Sequence, residues 1–312
     1  MTKINKHMKM SELVETNFHL LSILSRLKID GSFSDRSVED LCARYGLDAD
    51  TFVLICNVYT TQKFKPTEEE LRQCNIADIL RYLHSSHNYY INSSLKHLSP
   101  SIEQLISPTS KVQQKVIRRF FDNYKSELIK HFAYEEDIAI PYVSKLLSGH
   151  RPGDFSISIF KENHSNIEES LSDLKNLIMN SLPPECDGQM RIEVLSNLFH
   201  LQEDLRHHTY IEDSILVPLV EILEGRDPSP VYIASSSQES KADETLSDRE
   251  KEVLVEVAHG YLNKEIADRL NISINTVITH RKNITRKTGI KTTPGLTVYA
   301  ILNGLLDMET FE

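Results

Sequence analysis

Histidine and glutamate recur at helical spacing in two segments of the chain. The 312 residues include 13 histidines, and HFAYEEDIAIPYV, beginning at His131, aligns with HTYIEDSILVPLV, beginning at His208, 77 residues later. In both segments a glutamate follows the histidine by four positions, and a further pair of histidines is separated by the same 77 residues. Duplicated helix pairs give a four-helix bundle a near-symmetric central site. The repeat predicts six metal ligands: His87, His131, Glu135, His164, His208 and Glu212.

The types of these residues indicate which metal they would bind. A histidine and a glutamate four positions apart lie on one helix face, so both reach a common centre. Imidazole and carboxylate together suit iron or manganese better than calcium, which prefers oxygen ligands alone. Two carboxylates can bridge two metals while each metal keeps two histidines, and positions remain for dioxygen, nitric oxide or peroxide. One isolated His–Glu pair is usually a solvated surface pair, but two copies in register favour a metal site.

Several other groups are expected near this site without binding the metal. A ligating histidine needs its second nitrogen held by an acceptor. Neighbouring polar groups are therefore predicted to lie beside the ligands or at the surface: His84, His207, Glu136 and Asp213. Tyr134 and Tyr210 are expected to pack around the site, and Pro141 and Pro218 to mark kinks or ends of helices.

Helical periodicity runs through most of the chain and no segment alternates with period two, which predicts an all-α fold. The stretch Ser229–Thr245 is mostly polar and is predicted to be a linker. The predicted division is a small helical module over 1–66, a four-helix bundle over 67–228, the linker over 229–245, and a C-terminal domain over 246–312.

Composition favours a protein of the cytoplasm. The four cysteines form no CxxC pair and are expected to be reduced thiols. No apolar run approaches the roughly 20 residues that a membrane helix needs, and MTKINKHMKM lacks the apolar core of a signal peptide. The net charge of −10 by itself argues against nucleic-acid binding, but that average conceals a basic segment near the C-terminus.

Helix-capping signals after residue 245 predict three helices in close succession. Ser247 and Glu250 form a capping box that begins the first helix, which ends by Gly260. A short helix, Asn263–Leu270, follows, and Asn271 supplies the turn after it. Two short helices joined by a tight polar turn predict a helix-turn-helix.

The third helix is predicted to begin after Ser273, end near Thr288, and enter the DNA major groove. Between Thr276 and Lys291 the chain carries five basic residues and no acid. A local basic face can supply phosphate contacts even in an acidic protein. The predicted partner is double-stranded DNA.

The C-terminal pattern SDREKEVL, AHGYLNKEIADRL, ISINTVITH, NITRKTGI and LTVYAILNGL closely resembles the LuxR-type (NarL-like) helix-turn-helix. The resemblance implies that Ile266, Val277 and Ile284 pack the helices. It also implies that Thr279 and Lys282 face base edges. It places six residues near phosphates: Asn263, Lys264, Thr276, Arg281, Arg286 and Lys287. Ile278 departs from the basic residue common in the family, and dimerisation is implied through the last helix, about Pro294–Leu306.

The bundle resembles hemerythrin-like domains, and its four-histidine, two-glutamate set looks like the repair-of-iron-centres branch. The resemblance implies two non-haem iron ions held by the six ligands, with an oxo bridge as an option. The N-terminal module is similar in layout to the one that precedes the bundle in that branch. Where the family has a cysteine pair, this sequence has Gly31, Ser32 and Phe33. A packing or dimerisation role is therefore expected for the module.

These features together predict a homodimeric, non-enzymatic transcription regulator whose di-iron bundle senses oxygen, nitric oxide or redox state. One alternative is an iron-repair or nitric-oxide-handling protein with an autoregulatory DNA-binding domain. The missing cysteine pair argues against that alternative. A third is a DNA-binding protein whose bundle has lost its metal.

Overall fold

The structure is a computed structural model, and it describes residues 3–31, 35–61, 64–150, 156–157, 167–225 and 245–306. Within these ranges every regular element is a helix, and the single β-bridge joins Lys9 to Ser37. This confirms the predicted all-α fold. In the same ranges, no helix has both the length and the apolarity that a membrane crossing requires.

Contacts divide the chain into two compact units. The first unit comprises Met1–Ser94, Lys130–Ser165 and Glu203–Ala234, and the second comprises Leu95–Ile129, Asn166–Gln202 and Ser235–Glu312. The predicted domain boundaries remain predictions. The predicted linker lies outside the described residues except for Thr245.

The first unit begins with short helices that pack around one apolar core. Ser37 caps the third of them by accepting from the Asp40 amide, and Gly46, at φ 62°, ends it in the left-handed region where glycine is favoured. Phe52 and Tyr82 are fully buried in the core. The helices are α1 (Met10–Thr16), α2 (Leu20–Arg26), α3 (Val38–Tyr45), α4 (Ala49–Thr60), α5 (Glu68–Gln73) and α6 (Ile76–Tyr89).

Longer helices follow, some of which contribute residues to both units. They are α7 (Leu95–Ile106), α8 (Lys111–Tyr134), α9 (Ile140–Leu147), α10 (Ile167–Asn180), α11 (Gly188–Ile211) and α12 (Val217–Leu223).

In the part of the chain that the structure describes, three π-helical turns interrupt these helices: Tyr90–Ser94, Glu135–Ala139 and Glu212–Leu216. Two of them begin at the glutamates that the sequence predicts as ligands. Pro141 and Pro218 lie at the start of the α-helices that follow these two turns. Proline has no N–H and clashes with the carbonyl four residues back, so it belongs where regular α-helical bonding has been broken.

The C-terminal helices are α13 (Asp248–Ala258), α14 (Asn263–Leu270), α15 (Ile274–Thr288) and α16 (Thr293–Leu302). The capping box of Ser247 and Glu250 is present, and Asn271 adopts the left-handed conformation at φ 51°. Their bounds confirm the predicted helices, except that the last one ends at Leu302 rather than near Leu306. Three side chains pack these helices together with no exposed surface: Ile266, Val277 and Ile284.

Candidate metal centre and nucleic-acid interface

Four predicted ligands come together inside the first unit. His87, Glu135, His208 and Glu212 are all buried, and each offers a ligand atom within 4.8 Å of the others. His87 comes from α6, and His208 lies near the end of α11. Glu135 and Glu212 are the first residues of two π-helical turns, and they lie one helical turn beyond His131 and His208. The helix geometry therefore presents each His–Glu pair to one centre.

The nitrogen atoms face oxygen atoms at close range. His87 Nε2 lies 2.9 Å from Glu135 Oε2 and 3.0 Å from His208 Nε2. His208 Nε2 lies 3.1 Å from Glu212 Oε1. His131 Nε2 lies 2.9 Å from Glu135 Oε1, and its side chain is 12% exposed. Glu135 thus faces one histidine with each of its two oxygens.

This arrangement fits a bound cation. Both oxygens of Glu135 are buried, and neither makes a hydrogen bond of acceptable geometry despite the nearby imidazoles. A buried carboxylate is costly without a compensating charge. Convergent imidazole and carboxylate donors supply the ligand set of a transition metal. His164 lies outside the described residues, so its place among the ligands stays a prediction.

Glu136 contacts two histidines, His87 of the cluster and His84. Its Oε1 lies 2.6 Å from His87 Nδ1, and its Oε2 lies 2.8 Å from His84 Nδ1. Burial raises the pKa of Glu136, but the two histidines outweigh it and lower the pKa below its usual value. Burial lowers the pKa of His87, whereas Glu135 and Glu136 raise it to about 9. Glu136 therefore fixes which ring nitrogen of His87 points to the centre.

Aromatic rings surround the ligands. Phe132 stacks on His87 with 4.4 Å between ring centroids, and Tyr90 meets His208 edge-on at 5.6 Å. Tyr134 and Tyr210 pack against the core of the first unit, and the Tyr210 hydroxyl donates to the carbonyl of Phe64. Phe132 and Tyr90 thus pack directly against two of the candidate ligands.

The other two polar neighbours predicted from the sequence are His207 and Asp213. The His207 ring lies tilted against the Tyr59 ring with 4.2 Å between centroids, and burial lowers the pKa of His207 to about 4. Asp213 is half-buried beside Glu212.

A buried polar network next to the cluster was missed by the sequence reasoning. Arg26 of α2 donates to both oxygens of Asp204, and also to the hydroxyls of Tyr59 at 3.1 Å and Tyr82 at 3.4 Å. Its guanidinium lies 5.1 Å from the centroid of the Tyr90 ring. Asp204 precedes His208 by four positions, which places both on the same helix face. That spacing is the feature of the sequence that could have indicated Asp204 as a neighbour of the site.

The DNA-binding residues predicted from the sequence lie on α14 and α15. Thr279 and Lys282, predicted to read bases, are exposed, as are Lys264 and Arg286. Ile278, the departure from the family pattern, is 37% exposed.

The other four residues of this group make contacts within the C-terminal domain: Asn263, Thr276, Arg281 and Lys287. Arg281 donates to Asn263 Oδ1 at 3.1 Å, and Thr276 supplies the amide that Ser273 caps. Lys287 donates to Glu250 Oε2 at 2.8 Å, and only 14% of its side chain is exposed. Lys287 thus stabilises the domain, and its contact with phosphate stays a prediction.

Comparison with known families identifies two domains. Residues 78–229 match the hemerythrin HHE cation binding domain, and residues 244–300 match the luxR family of bacterial regulatory proteins. The chain therefore joins a hemerythrin-like domain to a LuxR-type helix-turn-helix, as both resemblances implied. The buried His/Glu cluster lies within the cation-binding domain.

Curated relatives share a shorter segment. The chain is 40% identical over 80 residues to the oxygen regulatory protein NreC of Staphylococcus aureus (strain bovine RF122 / ET3-1), which is 24% of this chain and 37% of that protein. It is 47% identical over 62 residues to the same-named protein of strain JH9, which is 20% of this chain and 29% of that protein. The chain thus spans about a third of the length of these relatives.

Proposed function

We propose that this protein is a DNA-binding transcription regulator whose activity depends on a di-iron centre in its hemerythrin-like domain. The observation that carries the proposal is the buried cluster of His87, Glu135, His208 and Glu212 in a chain that also holds a LuxR-type helix-turn-helix. A reactive metal centre and a DNA-binding domain in one chain make a one-component sensor.

Six residues would hold the metal ions in this proposal: His87, His131, Glu135, His164, His208 and Glu212. Glu136 would orient His87, because a held imidazole is a better ligand than a free one. A bound di-iron group would supply reversible reaction with dioxygen, nitric oxide or an oxidant. Phe132 and Tyr90 would keep bulk water from the ligands.

The DNA-binding part of the proposal rests on α15. Thr279 and Lys282 would contact base edges in the major groove. Phosphate contacts would come from basic and polar residues around them: Asn263, Lys264, Thr276, Arg281, Arg286 and Lys287. Two copies would bind a two-fold DNA site, and such a protein would act in the cytoplasm.

Metal analysis of protein purified without oxygen tests the metal-dependent part. We expect about two iron ions per chain and an absorption spectrum that changes on exposure to air or nitric oxide. His208→Ala should remove the iron and the spectral response, since it deletes a buried ligand at the centre of the cluster. His200→Ala is the matched control, because His200 lies on the same helix but is exposed.

The same variants test regulation. Binding to a fluorescent mixed-sequence DNA duplex should change when wild-type protein is oxidised and should not change in His208→Ala. Loss of iron with unaltered redox regulation would refute the sensor. Iron transfer from this protein to an apo iron–sulfur protein would instead favour a repair function.

A further inference from the structure

The start of helix α8 lies in a second basic segment of this acidic chain. From Gln104 to Phe121 the sequence carries four basic residues and no acid, although the net charge of the chain is −10. The helix-turn-helix contains the basic segment that begins at Thr276, but this one lies outside it. Both segments belong to the second unit of the structure.

Three of the four basic residues lie on one face of α8. Lys111, Lys115 and Arg119 follow one another at four-residue spacing, and all three are exposed. Residues four apart lie one above the other on a helix, so the three side chains form a stripe about 12 Å long, named here the α8 stripe. Phe120 and Tyr124 are buried on the opposite face, so the α8 stripe points away from the core.

The positive charge of the α8 stripe is not neutralised by neighbouring acids. Among the residues that the structure describes, none of the three stripe residues takes part in an ion pair. In contrast, Arg118 donates to both oxygens of Glu103 at 2.6 and 2.5 Å, and Lys125 pairs with Asp122 at 2.7 Å. The acids that flank the stripe in sequence are thus already bonded to other cations, and the stripe charges are available to an anionic partner.

Hydrogen bonds connect α8 with the DNA-binding domain through α10. Glu127 of α8 accepts a bond from the Ser170 hydroxyl of α10 at 3.4 Å. Farther along α10, Asp173 accepts bonds from the backbone amides of Lys291 at 2.8 Å and Thr292 at 2.7 Å, where α16 begins. The helix that carries the α8 stripe and the helices of the DNA-binding domain are therefore parts of one connected unit.

We propose that the α8 stripe is a second DNA-contacting surface, which binds phosphates of the duplex beside the site that α15 contacts. Each strand of B-DNA places a phosphate at roughly every 3.4 Å along the axis, so the length of the stripe matches about three phosphates. Phosphate contacts carry no sequence information, and the stripe therefore adds affinity and fixes the orientation of the protein on the duplex. The inference rests on the proposed function, because it requires the helix-turn-helix to bind the same duplex.

The salt dependence of DNA binding by the full-length chain tests the proposal. The stripe variant is Lys111→Gln/Lys115→Gln/Arg119→Gln, in which glutamine removes the charge and keeps a helix propensity close to that of lysine and arginine. Binding to a fluorescent mixed-sequence duplex is measured between roughly 50 and 200 mM salt. Each lost phosphate contact lowers the slope of log K against log salt by about 0.9, so we expect a slope smaller by about 2.7 and an affinity at least roughly tenfold lower at the lowest salt.

The matched control is Lys65→Gln/Arg81→Gln/Lys145→Gln. It removes two lysines and one arginine that are exposed in the first unit. Both variants lose three positive charges, which takes the net charge from −10 to −13. A general effect of net charge would appear equally in the two variants, whereas phosphate contacts of the α8 stripe affect the stripe variant alone.

Equal slopes in the stripe variant and the control would overturn the α8 stripe as a DNA contact. Each single substitution in the stripe should lower the slope by about 0.9, so the test does not depend on the triple variant. Circular dichroism should show the same helix content in all these proteins, which are compared at equal metal content. Absence of DNA binding by the wild type would overturn the proposed function as well, whereas wild-type binding with equal slopes would overturn the stripe alone.

Discussion

Removal of the Arg26 side chain should strongly destabilise the first unit. Arg26 is 2% exposed in its side chain, forms a bidentate pair with Asp204, and donates to two tyrosine hydroxyls. Arg26→Met keeps most of the buried stem. Among the described residues it leaves Asp204, 15% exposed, with the Tyr59 hydroxyl at 2.8 Å as its one remaining side-chain donor. Breaking a buried pair on one side costs about 3–5 kcal/mol.

Urea unfolding of the metal-free chain, followed by circular dichroism, measures this free energy. The double variant Arg26→Met/Asp204→Leu is the control, because replacing both partners by apolar residues is often nearly neutral. We therefore expect it to recover most of the stability that Arg26→Met loses. A loss below about 1 kcal/mol in Arg26→Met, or a double variant no better than the single one, would refute the view that the ion pair is buried and essential.

Two further predictions concern Glu136 and Glu250. Glu136→Gln should weaken iron binding by roughly 10- to 100-fold in a chelator competition, because His87 loses the carboxylate that orients it; an unchanged affinity would show that this contact does not tune the ligand. Burial raises the pKa of Glu250, but hydrogen bonds from Lys287 and the Ser247 amide outweigh it and lower the pKa. The resulting stability is complete above the unfolded-state pKa and is lost as pH falls through the folded-state pKa. Glu250→Gln should therefore lower the free energy of unfolding of the DNA-binding domain by roughly 1–2 kcal/mol at pH 7 and reduce its loss as the pH falls. If the free energy of unfolding depended on pH equally in the variant and the wild type, Glu250 would not be the group that couples stability to pH.

The helix caps and turns of the C-terminal domain were predicted correctly from the sequence, because they depend on residues close together in the chain. The capping box at Ser247, the left-handed turn at Asn271 and the cap at Ser273 each involve groups no more than four positions apart. Their hydrogen bonds form within the segment, so the types of residue are sufficient to predict them. The His–Glu pairs at four-residue spacing are also local features, and their role as metal ligands stays a prediction.

Contacts between distant segments could not be predicted in this way. The 3.0 Å approach of His87 to His208 joins residues 121 positions apart, and Arg26 reaches Asp204 across 178 positions. Glu136 was expected beside the ligands or at the surface, and only the packing of α6 against the π-helical turn shows that it holds His87.

The sequence by itself determined the helical class, the two kinds of domain and the residue types of the candidate metal site, because periodicity, capping and motif spacing are local properties of a chain. Tertiary structure decided which donors share one centre, which charges are buried, and where Asp173 meets the last helix of the DNA-binding domain. The reason is physical: burial and long-range hydrogen bonds depend on how helices pack, and packing is set by the whole core at once.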